Sequence, residues 1–375
     1  MLPLGELPQR HNISKTLPPH PPEENPNVSA SSQFEESQNI WSAQTMNAPW
    51  GLEKRLMTAV QAIQFFNPNK YVKNCEAIGK NPNSWNALSL FEFVKYLEKS
   101  KALGDRKPNF LRVAEVVNAM AREGILQNVG SYSGKVRFFH DCFLFMFPGS
   151  QNVSRVMGQL WLASALGPEF IYHAIGHGVV QITGRNDDGD VVAGTGIVLS
   201  AHKILTVKHV VNDIHIDQVQ EFQDVRCVVE RDSIRIHESQ DIAIICVEQT
   251  LQPVNGLVLH TPRVGHSIYM LGFPQIPLVS SPALVMHSGE VTNQSVELLS
   301  GEKAFLYSAT TRPGNSGGPI VSRDGYLLGI AAKDLTVERG GAVFFPHYAG
   351  IDAFTIYEAL KDLGLDLSAS YEMLE

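Results

Sequence analysis

The spacing of hydrophobic residues changes twice along the chain and predicts three segments. Residues 1–45 show no period and hold seven of the 21 prolines among Ser, Asn, Gln and Glu. Such a composition cannot bury a core and predicts a disordered tail. Helical spacing begins within residues 46–168, and residues 169–375 carry short apolar runs separated by polar, glycine-containing turns, which are typical of β-strands. The pattern therefore predicts an α+β chain with more than one domain.

Two amphipathic helices and a β-hairpin are predicted within residues 46–168. Apolar residues recur at helical spacing in two sets, which are Leu90, Phe93, Val94 and Leu97, and Phe110, Val113, Val117 and Met120. The second helix should begin after Pro108-Asn109 and stop at Gly124. A hairpin should follow, with Ser133-Gly134 in its turn and Val136 and Phe138 alternating in a strand.

The order helix, helix, hairpin resembles a winged-helix domain by element order alone. One reading of such a module is DNA binding, and the alternative is a regulatory module that binds a protein. Residues 50–169 carry a net charge of +6, which is lower than a dedicated DNA-binding face usually shows. We therefore expect residues 46–168 to bind a regulatory protein partner, and the charge disfavours nucleic acid.

Charge and composition limit the cellular location and the classes of partner that we expect for this protein. The formal net charge is −8, with +3 on residues 1–169 and −11 on residues 170–375, so an acidic C-terminal half also disfavours nucleic acid. The first 26 residues contain no apolar core of a secretory signal, and the longest apolar stretch, 157–166, is too short to span a bilayer. We expect a cytoplasmic protein with no membrane partner.

The sequence predicts neither a metal site nor a cofactor. The four cysteines, Cys75, Cys142, Cys227 and Cys246, are far apart and form no metal-type pair, as expected of reduced structural residues. His173 and His177 could share a metal on a helix, but no acid or cysteine accompanies them. Gly176 and Gly178 favour the entry to a strand there instead, and no glycine-rich loop that binds phosphate is present.

Residues 310–321, TTRPGNSGGPIV, concentrate turn-forming residues around one serine. Gly314, Gly317, Gly318 and Pro319 surround Ser316. Glycines allow positive φ and close backbone approach, so that peptide N–H groups can converge on one point. Ser316 is therefore either a structural turn residue or a nucleophile beside an oxyanion site.

A serine nucleophile needs a base and a carboxylate that orients the base. His209 closes the second of two strand-like runs in AGTGIVLSAHKILTVKHVV, and Asp241 precedes the apolar run 242–247. Taken singly, His209 could be a packed or surface residue and Asp241 a turn former. Their order along the chain, His209, Asp241 and Ser316, favours a joint catalytic role.

Three motifs together resemble those of the trypsin-like serine proteases, most closely the cysteine-poor HtrA/Deg branch. They are GTGIVLS…ILTVKHVV, DIAIICV and RPGNSGGPI, and the resemblance extends from about residue 171 onward. The resemblance implies two six-stranded β-barrels with a catalytic triad at their interface. It implies that Ser316 is the nucleophile, His209 the general base and then acid, and Asp241 the group that orients the imidazole. The N–H groups of Gly314 and Ser316 would form the oxyanion hole.

The same resemblance locates a specificity pocket. Its base would be Thr310, next to Thr311, and its wall would come from Ala331 and Ala332. An uncharged base leaves a buried cation without a partner, so we expect cleavage after small or medium uncharged residues. Lys333 would favour an acidic residue there if its side chain turned inward.

The chain departs from the pattern of this branch at two places. The residue before the catalytic histidine is commonly small in relatives but is Lys208 here, so a long cation must find room or an acidic partner. The branch usually continues into PDZ domains, whereas we expect only one closing helix, 353–363, and no PDZ domain.

Two functions follow from these observations. The first is an intracellular serine endopeptidase, acting on a protein or peptide substrate and controlled or targeted by its N-terminal module. The alternative is a catalytically silent, protease-like regulator that binds DNA or protein through the winged-helix-like module. The complete triad favours the first function, and Lys208 favours the second.

Overall fold

The structure is a computed structural model that describes residues 50–83, 86–104, 107–131, 141–145, 158–335, 337–339, 342–344, 347–365 and 371–372. Trp50–Glu375 form one compact unit. The predicted tail lies outside the described residues, as do Ser133, Gly134, Val136 and Phe138 of the predicted hairpin.

The N-terminal part of this unit begins with helices. Their bounds are α1 Leu52–Phe65, α2 Tyr71–Ile78, α3 Leu90–Ser100 and α4 Phe110–Arg122. Both amphipathic helices predicted from the sequence are confirmed as α3 and α4. The Asn109 side chain caps α4 by accepting a hydrogen bond from the Arg112 N–H at 3.3 Å, and Gly124 follows the helix with φ +71°.

A small antiparallel sheet packs with these helices. Its strands are β1 Leu88–Ser89, β2 Leu126–Ser131 and β3 Asp141–Phe145, in the order β1-β3-β2. Strand β2 pairs antiparallel with β3, while the residues on which the hairpin was predicted lie outside the described part of the chain. Phe65, Phe93 and Phe143, from a helix, a second helix and a strand, are all fully buried or nearly so, so the helices and the sheet share one apolar interior.

Two short helices, α5 Ala163–Leu166 and α6 Pro168–Gly176, precede the first of two large sheets. A strand begins at Val179, directly after Gly178, as the two glycines indicated, whereas His173 lies on α6. Pro168 opens the helix, and Ile171 and Ile175, four residues apart, bury one face of it. No group of three metal-binding side chains occurs within the described residues.

The first large sheet has six strands and one helix between them. The bounds are β4 Val179–Arg185, β5 Val191–Ser200, β6 Lys203–Thr206, α7 Lys208–Asp213, β7 His215–Ile216, β10 Arg235–Ile236 and β11 Ala243–Cys246. The strand order is β10-β11-β6-β5-β4-β7. A separate hairpin consists of β8 Val219–Phe222 and β9 Val225–Val228.

The second large sheet closes on itself. Its strands are β12 Leu259–His260, β13 Ser267–Gly272, β14 Val285–Glu297, β15 Lys303–Tyr307, β16 Pro319–Ser322, β17 Leu327–Asp334, β20 Tyr348–Asp352 and β21 Tyr371–Glu372. The pairing of β16 with β17 makes a ring of six strands, which β12 and β21 extend. The helix predicted near the end of the chain is confirmed as α8, Ala353–Asp362. Strands β18, Val337–Arg339, and β19, Ala342–Phe344, form another hairpin.

The N-terminal helices pack directly on the second barrel. The Glu123 carboxylate forms an ion pair with Arg323, and Gly325, in the turn between β16 and β17, lies against Leu160 and Ala163. One cluster of buried apolar residues extends from the helices through both sheets. No helix within the described residues is both long enough and apolar enough to cross a bilayer.

Candidate active site

Strand pairing brings His209 and Asp241 together. Strand β11 runs antiparallel to β6, with Ala243 opposite Thr206. Helix α7 begins two residues after β6 and carries His209 in its first turn, while Asp241 stands two residues before β11. His209 therefore lies in a short helix and not at the predicted end of a strand. This helix directs the His209 side chain toward the loop that carries Asp241.

Asp241 accepts two hydrogen bonds from His209. The backbone N–H of His209 donates to Asp241 Oδ1 at 2.9 Å, and the ring Nδ1 lies 2.8 Å from Oδ2. With Nδ1 engaged by a carboxylate, the neutral ring carries its proton on Nδ1 and keeps Nε2 as an acceptor. That tautomer can take a proton from a hydroxyl group.

The electrostatic setting keeps the Asp241 carboxyl ionised. Burial alone would raise its pKa, but the hydrogen bonds and charge of His209, with a contribution from Lys333, hold the pKa below its ordinary value. Its side chain is 11% exposed and that of His209 is 34% exposed. The carboxylate is thus largely shielded, while the imidazole still faces solvent.

His209, Asp241 and Ser316 line one cavity of about 640 Å³. The cavity opens between the two large sheets, since α7 and the Asp241 loop belong to the first sheet and Ser316 precedes β16 of the second. The fold thus brings into one cavity the three side chains that the sequence motifs singled out.

The backbone around Ser316 is anchored at successive carbonyl groups. Within the loop, Asn315 N–H donates to Arg312 at 2.9 Å and Gly318 N–H donates to Asn315 at 2.9 Å. From outside, Gln275 N–H donates to the Pro313 carbonyl at 3.1 Å. Because the C=O and N–H of a trans peptide point in opposite directions, this last bond directs the N–H that follows Pro313 away from the Gln275 loop.

The N–H groups of Gly314 and Ser316 remain available. Within the part of the chain that the structure describes, neither donates a hydrogen bond to a protein acceptor. Their neighbours Asn315, Gly317 and Gly318 all do. Two unused donors that flank the Ser316 side chain are the arrangement an oxyanion site needs.

Glycine is required at two positions of this loop. Gly314 has φ +97°, and a Cβ there would lie 2.4 Å from the Phe273 carbonyl oxygen. Gly317 has φ +86°, and a Cβ there would lie 2.1 Å from the carbonyl oxygen of Thr195. Only glycine combines this backbone conformation with such close approach, so the loop geometry depends on both residues.

Thr195, on β5, is a residue whose role sequence reasoning missed. Its backbone N–H donates to the Ser316 carbonyl at 2.8 Å, and its hydroxyl donates to the Gly314 carbonyl at 2.6 Å. The same hydroxyl accepts a hydrogen bond from Phe273 N–H at 3.0 Å. Thr195 lies in the quoted stretch GTGIVLS, but nothing in that stretch indicates a partner more than 100 residues away.

Two of the four residues expected in the specificity pocket line the cavity. They are Thr311 and Ala332, whereas Thr310 is not among the described lining residues. Ala331 is fully buried in the core of the second barrel, and a register shift in β17 follows it, between Ala331 and Lys333.

Two charged residues of the cavity wall, Lys333 and Glu302, are paired with each other. Lys333, which lines the cavity, forms an ion pair with Glu302, and this contact, with a further hydrogen bond from Ser300, holds the pKa of the Glu302 carboxyl below its usual range. The Thr311 hydroxyl is engaged by the Tyr307 hydroxyl at 2.8 Å. Lys333 is therefore not free to present an isolated positive charge.

Comparison with known proteins gives a family match and two distant relatives. Residues 194–330 match the trypsin-like peptidase domain. The mitochondrial serine protease HTRA2 of Drosophila willistoni is 26% identical over 158 residues, which are 41% of this chain and 35% of that protein. The uncharacterized protein y4bJ of Sinorhizobium fredii is 26% identical over 148 residues, 38% of this chain and 22% of that protein. The chain thus spans well under half the length of either relative.

Solved structures of bacterial serine proteases are similar at low identity. The active form of the Rv3671c protease from M. tuberculosis has a TM-score of 0.42 and 20% identity, over 52% of this chain and 85% of that chain. The serine endoprotease from Yersinia pestis has a TM-score of 0.39 and 21% identity, over 52% of this chain and 65% of that chain. Residues 194–330, which contain His209, Asp241 and Ser316, thus match the trypsin-like peptidase domain, and the chain is similar to the serine protease HTRA2 of Drosophila willistoni.

Proposed function

We propose that this chain is a serine endopeptidase that hydrolyses peptide bonds through an acyl-enzyme on Ser316. The observation that carries the proposal is the double hydrogen bond from His209 to Asp241 in a cavity that Ser316 also lines. A serine hydroxyl is a weak nucleophile near neutral pH until a neutral imidazole accepts its proton. Asp241 supplies the tautomer and the negative charge that this imidazole needs.

In the proposed reaction, Ser316 Oγ attacks the carbonyl carbon of the substrate while its proton passes to His209 Nε2. The N–H groups of Gly314 and Ser316 stabilise the negative oxygen of the tetrahedral intermediate. The intermediate collapses when the C–N bond breaks and His209 returns the proton to the leaving amine. Water then attacks the acyl group by the same steps in reverse, which frees Ser316 and the carboxylic acid product.

The preferred substrate has a small or medium uncharged residue, such as Ala, Val, Ile, Thr or Leu, before the scissile bond. Ala332 gives the cavity a small apolar wall, and the Thr311 hydroxyl is already bonded to Tyr307. Lys333 is paired with Glu302, so an acidic side chain would have to compete for it. At the wall formed by Thr311, Ala332 and Lys333, a charged substrate side chain would therefore lose hydration without gaining a dedicated partner.

The N-terminal module controls or targets the protease inside the cell. The module combines the helices α1, α3 and α4 with a sheet of strand order β1-β3-β2, which supports the winged-helix interpretation. The ion pair between Glu123 and Arg323 connects the module directly to the second barrel. All four cysteines, each within the described residues, are free thiols. Free thiols support a reducing compartment, for which the cytoplasm is our proposal.

A fluorophosphonate probe tests the proposed nucleophile without knowledge of the substrate. We expect the folded wild-type chain to be labelled on Ser316, as mapped by peptide mass spectrometry, and Ser316→Ala and His209→Ala to lose the label. Ser239→Ala is the matched control, because Ser239 lines the same cavity and should not affect labelling. A folded wild-type chain that takes no label and cleaves no peptide library would favour the catalytically silent regulator.

A further inference from the structure

Lys208 stands directly before His209 and directs its ammonium group to the loop that carries Asp241. Lys208 Nζ donates to the carbonyl oxygens of His237 at 3.1 Å and of Glu238 at 2.9 Å. The long cation thus finds two backbone acceptors, and within the described chain it makes no ion pair with a carboxylate. These contacts join α7 to a loop 30 residues later.

The loop between β10 and β11 is closed by its own hydrogen bonds. His237 N–H donates to the Ile242 carbonyl at 3.0 Å, and Gln240 N–H donates to His237 Nδ1 at 3.0 Å. Asp241 is held inside this closed loop, one residue from Gln240 and Ile242. The hydrogen bonds from Lys208 to the His237 and Glu238 carbonyls therefore influence the position of the Asp241 carboxylate.

We propose that Lys208 is a positioning residue, which holds the Asp241 loop against the helix that carries His209. The inference rests on the proposed function, since the distance it maintains matters only if Asp241 orients the imidazole. An ammonium group makes strong, charge-assisted hydrogen bonds, and two such bonds on adjacent carbonyls restrain both the distance and the tilt of the loop. The residue that departs from the family pattern would then support the catalytic geometry.

Kinetics of three lysine variants test this role. Lys208→Met keeps the aliphatic stem but removes the donors, and we expect kcat/KM to fall about ten-fold, mainly in kcat, as for the loss of charged hydrogen bonds. Lys208→Arg, which keeps donors, should retain most of the activity. Lys203→Met is the matched control, because Lys203 lies at the far end of β6 and does not line the cavity.

A double-mutant cycle separates positioning from a general structural effect. If Lys208 acts through Asp241, Lys208→Met should cause no further loss of kcat/KM in an Asp241→Asn background. An equal loss in both backgrounds, or wild-type kinetics for Lys208→Met, would overturn the proposal. Thermal unfolding checks each variant, and Lys208→Leu, which also lacks donors and has the same expected result, replaces Lys208→Met if that variant does not fold.

A spectroscopic readout keeps this test independent of turnover. In Ser316→Ala protein, the proton on His209 Nδ1 should give a far-downfield NMR signal, which reports its hydrogen bond to Asp241. We expect the signal to persist with Lys203→Met and Lys208→Arg and to be lost or broadened with Lys208→Met. An unchanged signal would refute the role of Lys208 even if the chain proved to be a protease, and a lost signal would support that role even if turnover were absent.

Discussion

At the scale of single residues, the two hydrogen bonds between His209 and Asp241 differ in kind. The backbone N–H holds one carboxylate oxygen, and the ring holds the other. The carboxylate is therefore fixed by the main chain before it orients the ring, and this limits the positions that the imidazole can adopt. An amide in place of the carboxylate could keep the first bond but would present N–H to the ring.

This difference predicts the order of losses among the site variants. Asp241→Asn should lower kcat/KM by about 10³-fold to 10⁴-fold, because its amide favours the imidazole tautomer that cannot accept a proton at Nε2. Ser316→Ala and His209→Ala should remove nearly all turnover above the background. Steady-state hydrolysis of a peptide substrate measures all three, and a Ser316→Ala enzyme as fast as wild type would exclude the proposed nucleophile.

The pKa of Asp241 gives a prediction for stability against pH. Since its pKa is lower in the folded chain than the ordinary value of about 3.9, the carboxylate stabilises the fold above that value. The contribution is lost as pH falls through the lower, folded pKa. The difference in the free energy of unfolding between wild type and Asp241→Asn should therefore shrink as the pH falls from about 4 toward about 2. Urea titrations across this range check it, and a pH-independent difference would contradict it.

Glu302 sets the charge that Lys333 offers to a substrate. In Glu302→Gln the Lys333 ammonium loses its ionic partner, so substrates with Asp or Glu before the scissile bond should gain in relative kcat/KM. Glu297→Gln on β14, which removes an exposed carboxylate outside the cavity lining, is the control. A positional-scanning peptide library measures both, and a wild-type preference for Arg or Lys would refute the uncharged pocket.

At the scale of elements, β5 of the first sheet supports the Ser316 loop of the second. Thr195 places three hydrogen bonds on that loop and on the chain at Phe273, and Thr206 Oγ1 donates to the Thr195 carbonyl at 2.8 Å. The two large sheets are thus joined by buried polar contacts directly behind the proposed oxyanion site. Buried hydrogen bonds of this kind are costly to leave half made.

Removal of the Thr195 hydroxyl should therefore weaken transition-state binding. Thr195→Val keeps the shape but strands the Gly314 carbonyl and the Phe273 N–H, so we expect kcat/KM to fall by about ten-fold or more. Thr195→Ser keeps the hydroxyl and should retain most activity. The affinity for a peptide aldehyde, which forms a tetrahedral adduct, should fall in parallel with kcat/KM. Equal aldehyde affinity in Thr195→Val and Thr195→Ser would remove the link to the oxyanion site.

At the scale of the whole molecule, the helical module and the barrels share one buried apolar cluster. The module is packed on the second barrel through α5 and the Glu123 contact with Arg323. On α4, Arg112 is paired with both carboxylate oxygens of Glu115, at 2.7 and 2.8 Å. This pairing reduces the positive charge that the helix could offer to a phosphate backbone.

We therefore predict that the full chain does not read DNA sequence. Electrophoretic shifts at physiological salt should show at most weak binding, equal for unrelated duplexes, because residues 50–169 carry a net charge of only +6. Arg112→Ala should leave this background unchanged. Nanomolar affinity with a clear sequence preference would contradict the prediction and favour a DNA-binding module.

The elements that the sequence predicted are those that depend on near neighbours. The spacing of apolar residues located α3 and α4, and the Asn109 cap and Gly124 marked the ends of α4. Gly176 and Gly178 marked the entry to β4, which begins at Val179, but the same reasoning did not predict that α6 extends through His173. This helix buries Ile171 and Ile175 on one face.

The sequence by itself singled out the residues that we propose carry the chemistry, because the motifs around His209, Asp241 and Ser316 are each short and local. Only the tertiary structure decided how they are held. Thr195 contacts residues 119 and 121 positions later in the chain, and Lys208 contacts carbonyl groups 29 and 30 positions later. Such contacts depend on strand register and loop path, and backbone carbonyls, the main acceptors here, are present at every residue and leave no mark in a sequence.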